Sequence, residues 1–291
     1  WDLAKKHKDT PGSGPILAGT ALTRAHVAVL RGRPDRALLF VDRALKILRK
    51  NQTTIEPGLR ARAHLLRARI WRDLGRPARA RGSANRAREL AQLAQERALE
   101  SEAAARLGGL FVDAGQLEEA EAHLRDALLI AREIEDKRGM CLVQIWLGTL
   151  LAEANDPEAA TALASAAAVA KEVGLHRPEA MAFALAARVE VSENNLAGAT
   201  ELAERAKKML DQQGAELRDR IVITGTWTMV LHHNGCEEEA VKVAKELRRK
   251  MRSASGRIGD SNLRKLHRKQ TTKLLESVLS AEGPVYPRAE E

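Results

Sequence analysis

The feature that most constrains this chain is a ladder of small residues that recurs about every forty positions. Turn-forming residues stand at Gly32, Gly75, Gly115, Asn155, Asn194 and Gly235. Seven positions before each comes a small residue: Ala25, Ala68, Gly108, Gly148, Ala187 and Thr228. Five positions after each turn residue comes an alanine: Ala37, Ala80, Ala120, Ala160, Ala199 and Ala240. Twelve positions after the first five turn residues comes another alanine, namely Ala44, Ala87, Ala127, Ala167 and Ala206, and the sixth repeat has Leu247 there. A sixfold register of this kind predicts an internal structural repeat.

Each rung of the ladder has a physical reason. A turn residue that adopts positive φ is best supplied by Gly, and Asn tolerates that conformation. Small side chains let two helices cross closely, and alanines seven apart lie on one face of a helix. Proline is well placed at a helix start, where its missing N–H is not needed. The second helix of each pair is therefore predicted to open at Pro34, Pro77, Leu117, Pro157, Leu196 and Glu237.

The pattern resembles the tetratricopeptide repeat, a helix–turn–helix unit with spaced small and large apolar residues. The third repeat carries the match in Ala104, Leu107, Gly108, Phe111, Ala120 and Leu124. Arg24, Arg67 and Glu190 depart from the family pattern, since Leu or an aromatic residue is usual there. The period is near that of the longer repeat class found in kinesin light chains and bacterial regulators. The resemblance implies an all-α, right-handed α-solenoid of about six repeats.

The chain divides into four predicted segments. Residues 1–15 have a linker composition, and because Trp1 is not a Met we expect them to be the tail of an upstream segment. Residues 16–253 hold the six repeats, and 254–280 form a C-terminal capping helix, because a solenoid needs a polar outer face at its end. Residues 281–291 are predicted to be a disordered tail.

Composition excludes several classes of protein. Aromatic residues make up only 3% of the chain, which disfavours a large β-sandwich or barrel. No apolar run is long enough to cross a bilayer, so we expect no membrane segment. Cys141 and Cys236 are far apart and match no disulfide or metal spacing, which suits a reducing cytoplasm.

No catalytic constellation stands out. The chain lacks a Gly-rich phosphate loop and a nucleophile elbow. His232 and His233 are adjacent and would point to different helix faces, so they cannot chelate a metal as an i, i+4 pair can. Gly108-Gly109 is interpreted as close helix packing. We therefore expect no enzyme activity, no catalytic or metal-binding residues and no cofactor.

The resemblance implies that the first helices of successive repeats line a concave groove that takes a peptide or a partner helix. Helical spacing selects the residues predicted to face that groove: Arg62, Leu65, Arg69, Arg72, Leu142, Ile145, Thr149, Met181, Arg188, Val222 and Met229. Such a groove is basic toward its N-terminal end and apolar at its centre, and it favours an amphipathic segment with acidic residues. The alternative is that Leu142, Ile145 and Met181 merely pack beneath the surface.

These observations predict a protein–protein interaction scaffold, the sensor or adaptor domain of a larger bacterial regulatory protein. Charge leaves a second hypothesis open, because ten arginines stand against two acids between Gly58 and Leu90. A nucleic-acid-associated scaffold could use such patches, although aromatic platforms for bases are scarce. A codon bias toward Arg and Ala explains the net charge of +9 without any such function. Self-association is also compatible with the sequence.

Overall fold

The computed structural model describes residues 13–50, 57–213 and 216–279, and these residues form thirteen α-helices and no strand. In chain order the helices are α1 (Ser13–Leu30), α2 (Pro34–Lys50), α3 (Pro57–Asp73), α4 (Pro77–Leu93), α5 (Arg97–Ala114), α6 (Leu117–Glu133), α7 (Lys137–Glu153), α8 (Ala159–Glu172), α9 (His176–Ser192), α10 (Leu196–Gln213), α11 (Leu217–His233), α12 (Glu237–Gly256) and α13 (Ser261–Leu279). Each odd-numbered helix from α1 to α11 packs against the even-numbered helix that follows it. The predicted all-α solenoid of six helix pairs is confirmed.

The turns within the pairs fall where the ladder places them. All six predicted turn residues have positive φ, from 55° at Asn155 to 75° at Gly235. The turns between pairs were not predicted. One of them has Gly174 at a positive φ of 74°, whereas two others have Gln95 and Glu135, at 56° and 54°. An L residue that is neither Gly nor Asn adopts this conformation only at a cost of about 1 kcal/mol, so nothing in the sequence marked these positions.

Close packing explains the small residues. A Cβ atom on Gly108 would lie 2.5 Å from Leu124 Cγ, so a larger side chain there would force α5 and α6 apart. The ladder fails at one rung. Pro157 and Glu158 form a turn, so α8 begins at Ala159, and Ala159 is fully buried while Ala160 is only partly so.

Arginines join neighbouring repeats through ion pairs. Arg72 donates two hydrogen bonds to Asp113, at 2.6 and 3.0 Å, and Lys137 pairs with Glu172 at 2.8 Å. Further ion pairs between neighbouring repeats include Arg62–Glu96, Arg67–Asp42, Arg88–Asp126, Arg97–Glu133, Arg177–Glu216 and Arg177–Asp219. Much of the basic character between Gly58 and Leu90 is therefore neutralised inside the solenoid.

The C-terminal region differs from the expected simple cap. The helix α12 continues through Ser253 to Gly256 instead of breaking there. The chain then passes the first repeat, where the Gly259 N–H donates to Asp35 Oδ2 at 3.0 Å. Leu263 in α13 packs against the apolar cluster of the N-terminal repeats, while Val278 near its other end lies against Gly225 of α11. The last helix thus spans from the first repeat to the sixth.

No helix in the described part of the chain is both long enough and apolar enough to cross a membrane. Most of the predicted N-terminal linker, residues 1–12, lies outside the described residues, whereas Ser13 to Pro15 already belong to α1. The predicted disordered tail, 281–291, also lies outside them.

Candidate functional site

The first helices of the repeats surround a cavity with a volume of about 860 Å³. Its wall comes from α1, α3, α5, α7, α9 and α11, from the end of α10, and from the segments just before α9 and α11. The lining residues are His26, Arg62, Leu65, Leu66, Arg69, Arg72, Asp73, Leu99, Glu102, Arg106, Arg138, Leu142, Ile145, Trp146, Thr149, Gly174, Leu175, His176, Arg177, Pro178, Met181, Leu185, Gln213, Glu216, Arg218 and Asp219. Seven arginines stand against four carboxylates in this wall, so it carries net positive charge.

A ring of ion pairs closes the cavity between distant repeats. Glu216 pairs with Arg69 of α3 and, at 2.8 Å, with Arg177 of α9. Arg218, two residues further on, lies 3.9 Å from Asp73 and 3.8 Å from Asp113. We call Arg69, Asp73, Asp113, Arg177, Glu216, Arg218 and Asp219 the closure cluster. It brings the start of the sixth repeat against the second, third and fifth repeats.

Trp146 provides an aromatic surface in the wall. The Arg72 guanidinium lies 4.7 Å from the Trp146 ring centroid, in a cation–π arrangement. The ring also lies against Gly109, where a Cβ atom would come within 2.6 Å of it. The Gly108-Gly109 pair thus serves close packing on two sides, toward Leu124 and toward Trp146.

Eight of the eleven predicted groove residues line this cavity: Arg62, Leu65, Arg69, Arg72, Leu142, Ile145, Thr149 and Met181. Their exposure differs. Leu142 is 37% exposed, whereas Leu65, Ile145 and Thr149 are buried beneath the wall. The Thr149 hydroxyl donates to the Ile145 carbonyl at 2.7 Å, so its polar group is satisfied within α7.

The other three, Arg188, Val222 and Met229, do not line the cavity, and the prediction that they face an open groove is corrected here. All three are buried. The cause is α13, which packs against α11 and inserts Leu274, Leu275 and Val278 into the core. The chain's own last helix therefore covers the face that these residues were expected to present.

Arg188 shows how that helix is held. Its guanidinium donates to the Val278 carbonyl and, at 3.4 Å, to the Ser277 carbonyl, and it contacts Met229 Sδ at 3.8 Å. These carbonyls belong to the last turn of α13, where the helix dipole favours a cation. Burial lowers the pKa of Arg188 to about 10, which leaves it protonated near neutral pH.

Several wall residues were not predicted, above all Trp146, Arg177, Glu216 and Arg218. One signal could have found part of the set. Arg72 and Asp113 are 41 residues apart and Arg177 and Asp219 are 42 apart, close to one repeat length. Opposite charges at the repeat spacing indicate a contact between adjacent repeats. The contacts of Glu216 with Arg69 and of Arg218 with Asp73 cross the ring, and no local spacing marks them.

Two buried titratable groups outside the cavity, Cys141 and His267, make contacts within the helical core. Burial raises the pKa of the Cys141 thiol to about 11, and its Sγ lies 3.7 Å from the Ala166 carbonyl oxygen. His267 shares a 2.8 Å hydrogen bond with Ser255, and burial lowers its pKa. Among the described residues no group of three or more His, Cys, Asp or Glu side chains could hold a metal ion.

No protein-family model and no curated protein matches the chain. Solved structures do. A Rap protein complexed with competence and sporulation factor is 12% identical to this chain. The match covers 91% of this chain and 87% of the Rap protein, with a TM-score of 0.61. The Rap conjugation gene regulator of the plasmid pLS20, in complex with the Phr* peptide, is 14% identical to this chain. The match covers 90% of this chain and 75% of the regulator, with a TM-score of 0.63.

Aspartyl phosphate phosphatase F from Bacillus subtilis has 15% identity, covers 94% of this chain and 73% of its own, and gives a TM-score of 0.66. At such low identity these likenesses bear on the fold. They cover 90–94% of this chain. The chain therefore has the fold of a long-repeat tetratricopeptide-type α-solenoid, similar in architecture to the Rap proteins.

Proposed function

We propose that this chain is a protein-interaction scaffold that binds a peptide or helical segment of a partner in the cavity formed by its first helices. We further propose that it acts as the sensor or adaptor domain of a larger, cytoplasmic regulatory protein. The observation that carries the proposal is the cavity itself. Its wall combines apolar side chains such as Leu142 and Met181 with seven arginines.

The size and chemistry of the cavity suit a short segment. Its volume of about 860 Å³ falls within the roughly 300–1,000 Å³ typical of ligand pockets. Apolar contacts at α7 and α9 and cations at α3 favour an amphipathic ligand with acidic residues. Two structurally similar proteins are described in complex with a factor or a peptide, which supports the same use of this fold.

A site-specific crosslinking experiment tests the proposal. A photoreactive amino acid at Leu142, which is exposed within the cavity, should crosslink to one segment of a partner protein in cells of the source organism. The matched control is Leu129 of α6, which is exposed outside the cavity. If both positions give the same crosslinks, or neither gives any, the cavity is not the interaction site.

The nucleic-acid alternative gains no support from the comparisons or from the cavity. Arg62, Arg67, Arg69, Arg72 and Arg88 are each paired with a carboxylate within the chain. Binding of a phosphate backbone would require those pairs to break, and one aromatic surface, Trp146, is already covered by an arginine.

We also propose that the chain acts without catalysis, although one similar structure is named a phosphatase. The proposal rests on the wall, whose carboxylates are engaged by arginines instead of being poised as an acid and a base. Incubation with an aspartyl-phosphate protein and measurement of phosphate release tests this point. Release above the rate of spontaneous hydrolysis would contradict it.

A further inference from the structure

One carboxylate in the cavity wall occupies a site built from two repeats. The Arg177 Nη1 atom donates to Glu216 Oε1 at 2.8 Å, and Arg69 pairs with the other oxygen, Oε2. The Glu216 side chain is only 10% exposed. Each oxygen thus has its own guanidinium, one from α3 and one from α9.

The two arginines need an anion between them. Burial lowers the pKa of Arg69, and the nearby charges of Arg106 and Arg177 lower it as well, whereas the charges of Asp73 and Asp219 raise it. Arg177 also donates to Asp219, at 3.1 Å from Nε, so it can keep one partner if Glu216 leaves. Glu216 is the carboxylate that pairs directly with Arg69, and without it Arg69 would be a largely buried cation balanced by the more distant charges of Asp73 and Asp219.

We propose that Arg69 and Arg177 form a carboxylate-binding site, that Glu216 fills it when the cavity is empty of ligand, and that an aspartate or glutamate of the partner peptide replaces Glu216 there. This proposal rests on the proposed function and names the chemistry of its ligand. The apolar wall at Leu142 and Met181 is part of the same cavity, so the remainder of the peptide has a surface to pack against.

The exchange is chemically balanced, because one carboxylate replaces another and both arginines remain paired. Glu216 competes from within the chain, where its effective concentration is high. The apparent affinity for an acidic peptide is reduced by the fraction of molecules in which Glu216 holds the site. Neutralising Glu216 should therefore strengthen binding, whereas neutralising the arginines should weaken it.

Two pools of synthetic octapeptides with amidated C-termini test the proposal, one with Glu fixed at the fourth position and the other with Gln there. In both pools the other seven positions are randomised among residues other than Asp and Glu. The peptides retained by the protein are measured by affinity selection and mass spectrometry. We expect the wild type to retain the Glu pool about tenfold better than the Gln pool, as charge-assisted hydrogen bonds imply. Glu216→Gln should raise retention of the Glu pool about threefold or more.

The double variant Arg69→Gln/Arg177→Gln should retain both pools equally. Arg125→Gln, which changes an arginine that is 75% exposed on α6, is the matched control and should behave as the wild type. Retention of the Gln pool and the melting temperature report whether each variant still folds.

The outcomes separate this inference from the proposed function. If the wild type retains both pools equally, the cavity binds peptides but the carboxylate site is wrong. Reduced retention of the Glu pool by Glu216→Gln would also overturn the inference, because Glu216 would then assist binding instead of competing. If no pool is retained by any variant, the proposed peptide binding fails as well.

Discussion

At the scale of single residues, the small side chains of the ladder were predictable because each has a purely steric role. Small residues are required where two helices cross closely, and the repeat spacing identifies Gly108 and Ala25 as such residues. Long polar side chains were less predictable. Arg188 has the helical position of a groove residue, yet it is buried, since its partners lie about ninety residues away in α13.

Gly109 offers a direct test of close packing. Replacing Gly109 with Ala would place a Cβ atom 2.6 Å from the Trp146 ring, which must then shift away from α5. We expect a loss of roughly 1–3 kcal/mol in the free energy of unfolding, as in other overpacked interiors. Urea denaturation gives the value.

The matched control is Gly82→Ala in α4, where no atom lies within 4 Å of the added Cβ. This change should stabilise the chain by about 0.4–1 kcal/mol, because Ala restricts the unfolded state more than Gly does. Equal effects at the two positions would contradict the packing argument.

His64 makes stability depend on pH. Burial, together with the charges of Arg67, Arg86, Arg60 and Arg49, lowers the pKa of His64 from 6.5 to about 4. Between these values the unfolded chain binds a proton that the folded chain does not, so stability falls as the pH drops from 6.5 toward 4. Above 6.5 both states are neutral and the contribution is constant.

A His64→Gln variant should lose less stability than the wild type between pH 7.5 and pH 4.5. Urea midpoints are measured at both pH values for both proteins. Because the carboxylates titrate in both proteins, the difference between the two pH dependences reports the contribution of His64. If the wild type and His64→Gln lose the same stability between the two pH values, His64 is protonated in the folded state over this range.

At the scale of elements, helix bounds were predicted well where a specific residue fixes them. Pro34, Pro77 and Leu117 open helices as expected. Pro157 does not, because the turn continues to Glu158 and moves the start of α8 by two residues. The packing partners of α13 could not be predicted, since its apolar stripe shows that one face is buried but does not identify the helices that bury it.

The attachment of α13 should depend on Arg188. In Arg188→Ala, the Ser277 and Val278 carbonyls lose their donor, and an unsatisfied buried polar group costs about 1–3 kcal/mol. We expect faster hydrogen exchange in α13 and in the facing part of α11, while α1 to α6 keep their protection.

Lys250→Ala is the control, because Lys250 pairs with Glu246 one turn away on the surface of α12. It should leave the exchange of α13 unchanged. Uniformly faster exchange along the whole chain in Arg188→Ala would show instead that the substitution lowers global stability without a local effect.

At the scale of the whole molecule, the solenoid is closed on itself. The sixth repeat meets the second and third through the closure cluster, and the segment after α12 meets the first repeat at Asp35. The repeat ladder predicts how each pair contacts its neighbour. It cannot predict contacts between repeats that are far apart, because these depend on the accumulated rotation along the superhelix.

Removing two of these distant contacts should open the ring. We expect Asp35→Ala/Arg218→Ala to lengthen the distance between spin labels placed at Leu39 of α2 and Val241 of α12, both of which are exposed. Cys236 must first be changed to Ser because it is exposed, whereas Cys141 is buried and its raised pKa keeps it unreactive.

Glu121→Ala/Arg125→Ala serves as the control for this measurement. It also removes one acid and one base, but the two pair with each other on the surface of α6. The distance distribution of this control should match that of the wild type. An identical distribution in the Asp35→Ala/Arg218→Ala variant would show that these two contacts are not needed to keep the ring closed, and that α13 and the remaining Glu216–Arg69 pair suffice.

The contact between the first and last repeats bears on how such a chain can change in evolution. An open array of repeats can gain or lose a repeat by duplication or deletion, because each repeat contacts only the repeats next to it. Here an added unit would carry Arg218 past Asp73 and Asp113 and would separate Gly259 from Asp35. The number of repeats is therefore fixed by geometry, and descendants of this chain are expected to diverge by substitution within units while their count stays the same.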